Sequence, residues 1–389
     1  MSEVANIPQL RFPGFSDEWE ERPLKDVSTF FNGKAYKQAE LLSSGKYPVL
    51  RVGNFFTNNS WYYSNLELDE NKYCDNGDLL YAWSASFGPR IWAGEKVIYH
   101  YHIWKVINHS QVTKKFLFIV LDNETAKMKA QSANGFALLH ITKGTIENWK
   151  INLPTRQEQQ KIAAFLAAVD SKIEQLSKKQ ALLGEYKKGL MQQIFTQEIR
   201  FKAGDGSDFP DWEEKKLGDV FEIKAGQSKS KHIKKDGKNI IVDMGGISSE
   251  PKLVAKKLTD YDDDFLTTND LVMPKDDIGG GLIIGKVAEI PENNKYICGD
   301  HIYKLTVVNG NITFLKYAIN SYQVNKSFRQ KANGTAQIGL SRKEVENQLL
   351  SFPSLKEQTK IANFLSSIDS KIEQVGKQLN ESKQFKKAL

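Results

Sequence analysis

Carboxylates, histidines and glycine-rich turns are the groups from which a catalytic site would be built, and in this chain of 389 residues they do not assemble into one. Asp276 and Asp277 stand side by side in Pro-Lys-Asp-Asp-Ile-Gly-Gly-Gly and could hold a divalent ion for phosphodiester chemistry. The spaced acidic-x-Lys that such a nuclease site needs does not follow them. The adjoining glycines lack GxxxxGK[ST] and the strand–GxGxxG–helix spacing, so they read as a flexible turn and not as a phosphate loop. GxSxG, HExxH and an Asn-Pro-Pro-Tyr aminomethyltransferase motif are absent. The six histidines, among them His100, His102 and His109, show no ligand spacing backed by cysteines and read as scattered surface or core residues.

What remains is the chemistry of recognition. Ser228-Lys229-Ser230-Lys231-His232-Ile233-Lys234-Lys235 is the strongest basic cluster, and Lys229, Lys231, Lys234 and Lys235 read as a phosphate clamp or as a solvated loop. Trp83-Ser84-Ala85-Ser86-Phe87-Gly88-Pro89-Arg90 combines rings, hydroxyls and a guanidinium, so Ser84, Ser86 and Arg90 are contact candidates. Arg51 and Asn54 are candidates because Arg and Asn pair bidentately with guanine and adenine edges. Structural turns and core aromatics are the competing reading for each of these. His140 and Gln337 complete the set, in loops that begin Asn134-Gly135 and Asn333-Gly334 at a constant offset of 199 residues.

That offset governs the elements that must position these groups. Residues 154–175, PTRQEQQKIAAFLAAVDSKIEQ, recur at 353–374 as PSLKEQTKIANFLSSIDSKIEQ, with 14 of 22 positions identical. Trp19-Glu20-Glu21-x-x-Leu24-x-Asp26-Val27 recurs as Trp212-Glu213-Glu214-x-x-Leu217-x-Asp219-Val220. A period near 200 residues means two whole domains, each followed by a helix. Thr155 with Glu158, and Ser354 with Glu357, have the spacing of a capping box, in which the carboxylate reaches back to the cap's own N–H. Beyond the caps, apolar residues alternate in steps of four and three. Ile162, Leu166, Val169, Ile173 and Leu176 form one seam and Ile361, Leu365, Ile368, Ile372 and Val375 the other. Gln180 and Lys187 interrupt the first seam, Ser382 and Lys386 the second. Each helix therefore needs a partner, and the other copy is the obvious one; an ordinary core helix is the alternative. Phe165/Phe364, Asp170/Asp369 and Lys172/Lys371 are retained off the seam, which points to a second contact surface used twice, for two copies of one partner. The second copy stops at Leu389, where the first continues MQQIFTQEIRF.

The expected architecture is α+β, with a pseudo-two-fold internal repeat: a strand-rich mixed α/β domain over residues 1–153, a helix over 154–199, a second such domain over 200–352 and a second helix over 353–389. Short helices are expected at 113–130 and 313–326, and strands in the apolar runs 47–52, 96–107, 239–244, 282–290 and 302–308. No run of about 18 apolar residues predicts a membrane span. The N-terminus has no cationic-then-apolar leader, and Cys74 and Cys298 show no framework, so the expected setting is cytoplasmic with reduced cysteines. A net charge of +7 leans toward a polyanion, but the basic and acidic residues balance at 17 to 16 over 1–153 and 23 to 22 over 200–352. Nucleic acid would therefore meet local patches.

Tandem divergent domains that each begin W-E-x-x-x-L-x-D-V, alternating with helices reading P-x-x-x-EQ-x-KIA-x-FL…D-SKIEQ, resemble the specificity subunit of a type I DNA restriction-modification system. The resemblance covers essentially the whole chain, apart from its short C-terminal end. It implies that each domain reads one half of a bipartite asymmetric DNA site. It implies that the helices pack as an antiparallel coiled coil that fixes the gap between half-sites. It also implies double-stranded DNA, two modification (methyltransferase) subunits and two restriction (endonuclease/translocase) subunits as partners. S-adenosylmethionine, ATP and Mg²⁺ would belong to those partners, and this chain would choose the site without performing chemistry. A pseudo-symmetric scaffold with no base reading is the competing class, and divergence confined to the domain interiors argues against it.

Overall fold

The computed structural model describes residues 8, 10–56, 58–84, 87–132, 141–334 and 337–389. The chain forms two compact units: Met1–Glu174 with Ser382–Leu389, and Gln175–Glu381. Each contains one strand-rich domain and a stretch of both long helices, Arg156–Phe195 and Leu355–Ala388.

In the first unit a four-stranded antiparallel sheet runs in the spatial order Ser28–Asn32, Ile103–Asn108, Leu79–Ala82, Gly88–Ile91. A second sheet runs Tyr62–Ser64, Tyr47–Leu50, Val97–Tyr99, Tyr73–Cys74, with its two central strands parallel. Successive side chains of a strand point to opposite faces, and Leu79–Ala82 uses both. Leu79 and Tyr81 join Phe30, Trp104 and Val106 in a core completed by Phe116, Leu117 and Leu121 of the helix Lys114–Ser132. Leu80 and Ala82 face Leu50, Val97, Tyr99 and Ile103.

The second unit repeats the first sheet and the parallel strand pair, but the fourth strand of its second sheet lies at the opposite edge. Its first sheet runs Phe221–Ala225, Ile302–Val307, Asp270–Pro274, Ala288–Glu289. Its second runs Ile233–Lys234, Lys257–Thr259, Asn239–Val242, Tyr296–Cys298, the last two strands parallel. Leu271 and Met273 face one core and Val272 another. An internal ion pair is duplicated with the fold. Lys105 meets Asp78 at 2.7 Å and donates to the Tyr73 carbonyl, while Lys304 lies 3.5 Å from Asp270 and donates to the Phe265 carbonyl.

The expected helix over 313–326 is two helices, Ile312–Ile319 and Tyr322–Lys331, broken at Asn320-Ser321; Asn320 caps the first and its amide bonds Val287. The run 282–290 contributes only the two-residue strand Ala288–Glu289. The run 96–107 divides at a turn through His100, Tyr101 and His102 into two strands that belong to different sheets.

The repeated Trp-Glu-Glu segments close each domain. Glu20–Pro23 pairs antiparallel with Lys150–Leu153, and Glu213–Lys216 with Leu349–Phe352, so each domain ends beside its beginning, where its long helix starts. Leu24, Val27, Leu217 and Val220 of the motif are core residues.

The repeated Glu-Gln dipeptides act differently from a capping box. Thr155 Oγ1 and Ser354 Oγ accept from the backbone N–H of Glu158 and Glu357, at 3.3 and 3.4 Å. The carboxylates, however, turn to arginines far away in sequence. Arg11 holds Glu158 bidentately at 2.8 and 2.8 Å, and Arg200 holds Glu357 at 2.8 and 3.0 Å, joined by the Trp212 indole N–H at 3.1 Å. A bidentate guanidinium is a stronger partner than a single backbone N–H, and Glu158 and Glu357 are at most 1% exposed. The following glutamine points to another segment: Gln159 Oε1 accepts from the Thr113 N–H, and Gln358 Oε1 from the Asn311 N–H. Those N–H groups open the domain helices Lys114–Ser132 and Ile312–Ile319, so the dipeptide fastens each long helix to its domain.

The long helices pair antiparallel. In the second unit the Gln180 amide lies against Gly376 and Lys187 bonds Asp369 at 2.6 Å. In the first, Asp170 bonds Lys386 at 2.6 Å. Lys187 and Lys386 are equivalent in the repeat, as are Asp170 and Asp369, so the pairing is reciprocal. Two of the polar seam residues, Lys187 and Lys386, thus have carboxylate partners on the facing helix. Ile361, Leu365, Ile368, Val375 and Leu176 are buried; Ile372, Ile162, Leu166, Val169 and Ile173 are half-buried. The off-seam residues also make internal contacts. Phe165 meets Phe12 and Phe385 edge-on, Phe364 meets Phe201, and Asp369 accepts from the Tyr317 hydroxyl. Lys172 and Lys371 remain exposed in both copies.

Candidate nucleic-acid interface

Two neighbouring parallel strands send their outgoing loops to the same rim of a sheet. In the first domain Tyr47–Leu50 leads into the short helix Val52–Phe56, and Val97–Tyr99 into the turn His100-Tyr101-His102. The His100 N–H donates to the Leu50 carbonyl at 2.9 Å. In the second domain Asn239–Val242 leads into Met244–Gly246, and Tyr296–Cys298 into Gly299-Asp300-His301, with the Gly299 N–H on the Val242 carbonyl at 2.8 Å. Each rim is the part of its domain where loop residues of several segments converge on a rigid sheet, the usual setting of a recognition surface.

The first rim is aromatic and basic. Trp83, His100, Tyr101 and His102 form one ring cluster, with centroids 3.9 to 5.9 Å apart. Arg51 lies 4.2 Å over the Tyr62 ring, and Arg90 lies 5.0 Å over Phe56 and 5.8 Å over Phe55. Arg90 is exposed on its free side. The Asn54 amide nitrogen is occupied, donating to the Asn58 and Ser60 carbonyls, and Arg51 reaches the Ser60 carbonyl, while Asn54 Oδ1 is buried with no hydrogen-bond partner among the described residues. These two shape the loop on this rim, and Arg51 is a half-buried residue whose Nε is enclosed. Ser84 is 8% exposed, too buried to reach a ligand from the outer surface. Ser86 and His140 lie outside the described residues.

Burial, with His102 and Arg51 as positive neighbours, lowers the pKa of His100 from its ordinary 6.5 to about 4. A folded-state value below the unfolded one means that the unfolded chain takes up the proton first. This contribution to stability is whole above pH 6.5 and is lost as the pH falls toward about 4. Melting across that range should show the first unit losing Tm on the acid side, and His100→Gln should flatten the slope.

The second rim surrounds a cleft of about 680 Å³ lined by residues that include Lys229, Asp243, Gly245, Lys256, Asp300 and His301. Lys229 is a correction to the phosphate clamp. Only 7% exposed, it bonds Asp264 at 3.2 Å and lies 5.0 Å over the Tyr261 ring, so it is a structural cation. Lys234 pairs with Asp260 on the surface, while Lys231 and Lys235 are exposed. Asp277 is 3% exposed and accepts from the Gly279 and Ile283 N–H groups, holding the glycine turn. Gln337 is exposed beside the strand Ile338–Gly339, which pairs with Asp276–Asp277. Asp276 in turn accepts from His301 Nδ1 at 2.7 Å.

Neither residue type nor local spacing marks His301, yet the repeat contains it: His102-Ile103-Trp104-Lys105 and His301-Ile302-Tyr303-Lys304 stand 199 residues apart. The two histidines occupy the same place, since the Trp83 N–H bonds the His102 carbonyl as the Lys275 N–H bonds that of His301. Among the described residues no group of His, Cys, Asp and Glu could hold a metal ion, and no helix is long and apolar enough to cross a membrane. Cys74 and Cys298 are unpaired and buried; burial pushes the Cys298 thiol up to about 12.

The sequence pattern described as "Type I restriction modification DNA specificity domain" matches residues 16–183 and again residues 210–383. The chain belongs to this family. Members of the type I specificity family align with it nearly end to end. The type I restriction enzyme MjaVIII specificity subunit of Methanocaldococcus jannaschii is 27% identical over 403 aligned residues, spanning 98% of this chain and 92% of that one. The putative MjaX specificity subunit of the same organism is 25% identical, spanning 100% and 93%. The crystal structure of a type I restriction-modification S subunit from M. genitalium shares the fold at a TM-score of 0.62 and 14% identity, covering 99% of this chain and 97% of that one. The duplicated family match coincides with the duplicated architecture, one specificity domain per strand-rich domain and its helix.

Proposed function

We propose that this chain is the DNA-recognition subunit of a type I restriction-modification complex, each strand-rich domain reading one half of a bipartite asymmetric site. The observation that carries this reading is the contrast between frame and rim. The four-stranded antiparallel sheet, the parallel strand pair, the Lys–Asp pair and the helix fastening recur in both domains, whereas the loops on the equivalent rims differ, rings and arginines in one and carboxylates with lysines in the other. A protein that keeps a frame and changes its reading edge is suited to two different half-sites. The helix pair would set the gap. Two modification subunits would dock on surfaces present twice, for which Lys172/Lys371 and Glu174/Glu373, identical and exposed in both copies, are suited. Two restriction subunits would join that core, S-adenosylmethionine, ATP and Mg²⁺ would sit on the partners, and the whole would work in the cytoplasm.

The deciding experiment is methylome sequencing of a host carrying the system, combined with binding of the reconstituted complex to the motif found and to scrambled duplex. A bipartite asymmetric motif with strong preference over scrambled DNA is expected. Equal binding to both duplexes would leave only the scaffold reading. For the backbone contribution, Lys231→Ala with Lys235→Ala should weaken binding evenly across sequences and reduce the salt slope by up to about 1.8, some 0.9 per phosphate contact. An unchanged slope removes that loop from the DNA surface. Lys229→Ala should instead lower the stability of the second domain, through Asp264.

A further inference from the structure

We infer that the second domain reads an exocyclic amine of one base in its half-site through Asp300 and His301, at the cleft where the first domain presents rings. The inference rests on the DNA-reading function proposed above and adds to it the chemical group that is read.

The argument begins with the proton on His301. Asp276 Oδ2 lies 2.7 Å from Nδ1, and an ionised carboxylate can only accept, so Nδ1 carries the proton. In the neutral ring Nε2 is then an acceptor. Asp300 presents a second acceptor beside it. Its Oδ1 takes the His301 N–H at 2.7 Å, and its Oδ2 stands 3.6 Å from Nε2, too far for a hydrogen bond. Two acceptors side by side on the wall of a cleft call for a ligand with donors. In the major groove those are the N6 amine of adenine and the N4 amine of cytosine, and carboxylates are natural acceptors for the latter. Both side chains are accessible, His301 at 45% and Asp300 at 40% exposure. Lys256, exposed on the same cleft, supplies a cation for the neighbouring phosphate or a purine acceptor.

The backbone agrees. His301 holds φ at 60°, a left-handed conformation in which glycine or asparagine would sit more easily. The first domain isolates the contribution of the carboxylates. It has the same histidine at the same place, but Tyr101 stands where Asp300 does and buried Ser84 where Asp276 does, so the acceptor pair is absent there. One corner of the fold thus has two chemistries, one for each half-site.

The test is functional-group deletion. Duplexes carrying the natural site, each with one exocyclic amine removed (purine for adenine, 2-pyrimidinone for cytosine), are titrated against the complex of this chain with its modification subunits. At one position in the second half-site, amine loss should weaken wild-type binding on the order of tenfold. The same loss should leave the Asp300→Ala complex unchanged, and sensitivities in the first half-site should match between the two. Retained sensitivity at every position in Asp300→Ala overturns the inference, as does a wild-type complex indifferent to every amine of the second half-site. Asp300→Asn, which keeps the volume, is read in the same way. If neither variant assembles, Asp300 serves folding and the inference is again overturned. A wild-type complex with no sequence preference at all would instead remove the function on which the inference stands.

Discussion

Glu357→Ala should destabilise the second unit by about 3 kcal/mol, the scale for breaking a buried charge pair by removing one partner. The carboxylate is fully buried and accepts three bonds, two from Arg200 and one from the Trp212 indole. Its loss leaves the Trp212 indole N–H without its acceptor and a guanidinium, itself only 23% exposed, with no paired carboxylate and only the Phe209 and Pro210 carbonyls to donate to. Arg200→Ala should cost a similar amount by stranding the carboxylate. The double variant should then cost clearly less than the two singles together, because neither partner remains to be stranded. Glu357→Gln keeps the volume and one acceptor, and should fall between wild type and Glu357→Ala. Chemical denaturation of the four proteins gives the coupling directly; additive effects would mean that the pair does not act as a unit. The functional consequence is local. The lock joins the second long helix to the second domain, so discrimination in one half-site should degrade while the other keeps its sequence. Glu158 with Arg11 is the equivalent lock of the first unit, and its loss should invert which half-site suffers.

The parts of this molecule that repeat were legible in the chain, and the parts that depend on distant partners were not. The long helices, their seams and the domain edges could be read because identity at a fixed offset separates what the fold keeps from what it changes. The central strands Leu79–Ala82 and Asp270–Pro274 could not. Both faces of each are covered, so no polar alternation marks them, and runs of four or five residues are too short to distinguish from a turn. Glu158 and Glu357 satisfied a local capping pattern, while their true partners stand 147 and 157 residues away. Lys229 was indistinguishable from the other lysines of its cluster until the fold brought Asp264 and Tyr261 beneath it. His301 differs from these. Its signal, the His-Ile-aromatic-Lys repeat, was present at the offset that revealed the helices, and comparing the domain interiors at that offset would have found it.

Lengthening both helices by one heptad should lengthen the gap in the recognised site while leaving both half-sites as they are. Suitable points are between Gln180 and Lys187 in one helix and between Asp369 and Gly376 in the other, because these residues face each other across the antiparallel pair. Seven residues preserve the a/d seam and add about 10.5 Å, at ~1.5 Å per residue. B-DNA rises ~3.4 Å per base pair, so the gap should grow by about three base pairs. Three base pairs also turn the duplex by nearly a third of its roughly 10.5-base-pair repeat. Binding to the new site should therefore be weaker than wild-type binding to its own, the difference being the torsion imposed on the DNA. Insertion into one helix alone makes the contrast. It cannot keep both the Gln180–Gly376 approach and the Lys187–Asp369 ion pair, so it should abolish site-specific methylation without creating a new motif. Methylome sequencing reads all of these outcomes at once. Altered half-sites at an unchanged gap would show that the helices do not measure the distance, and would leave the domains alone to determine the spacing.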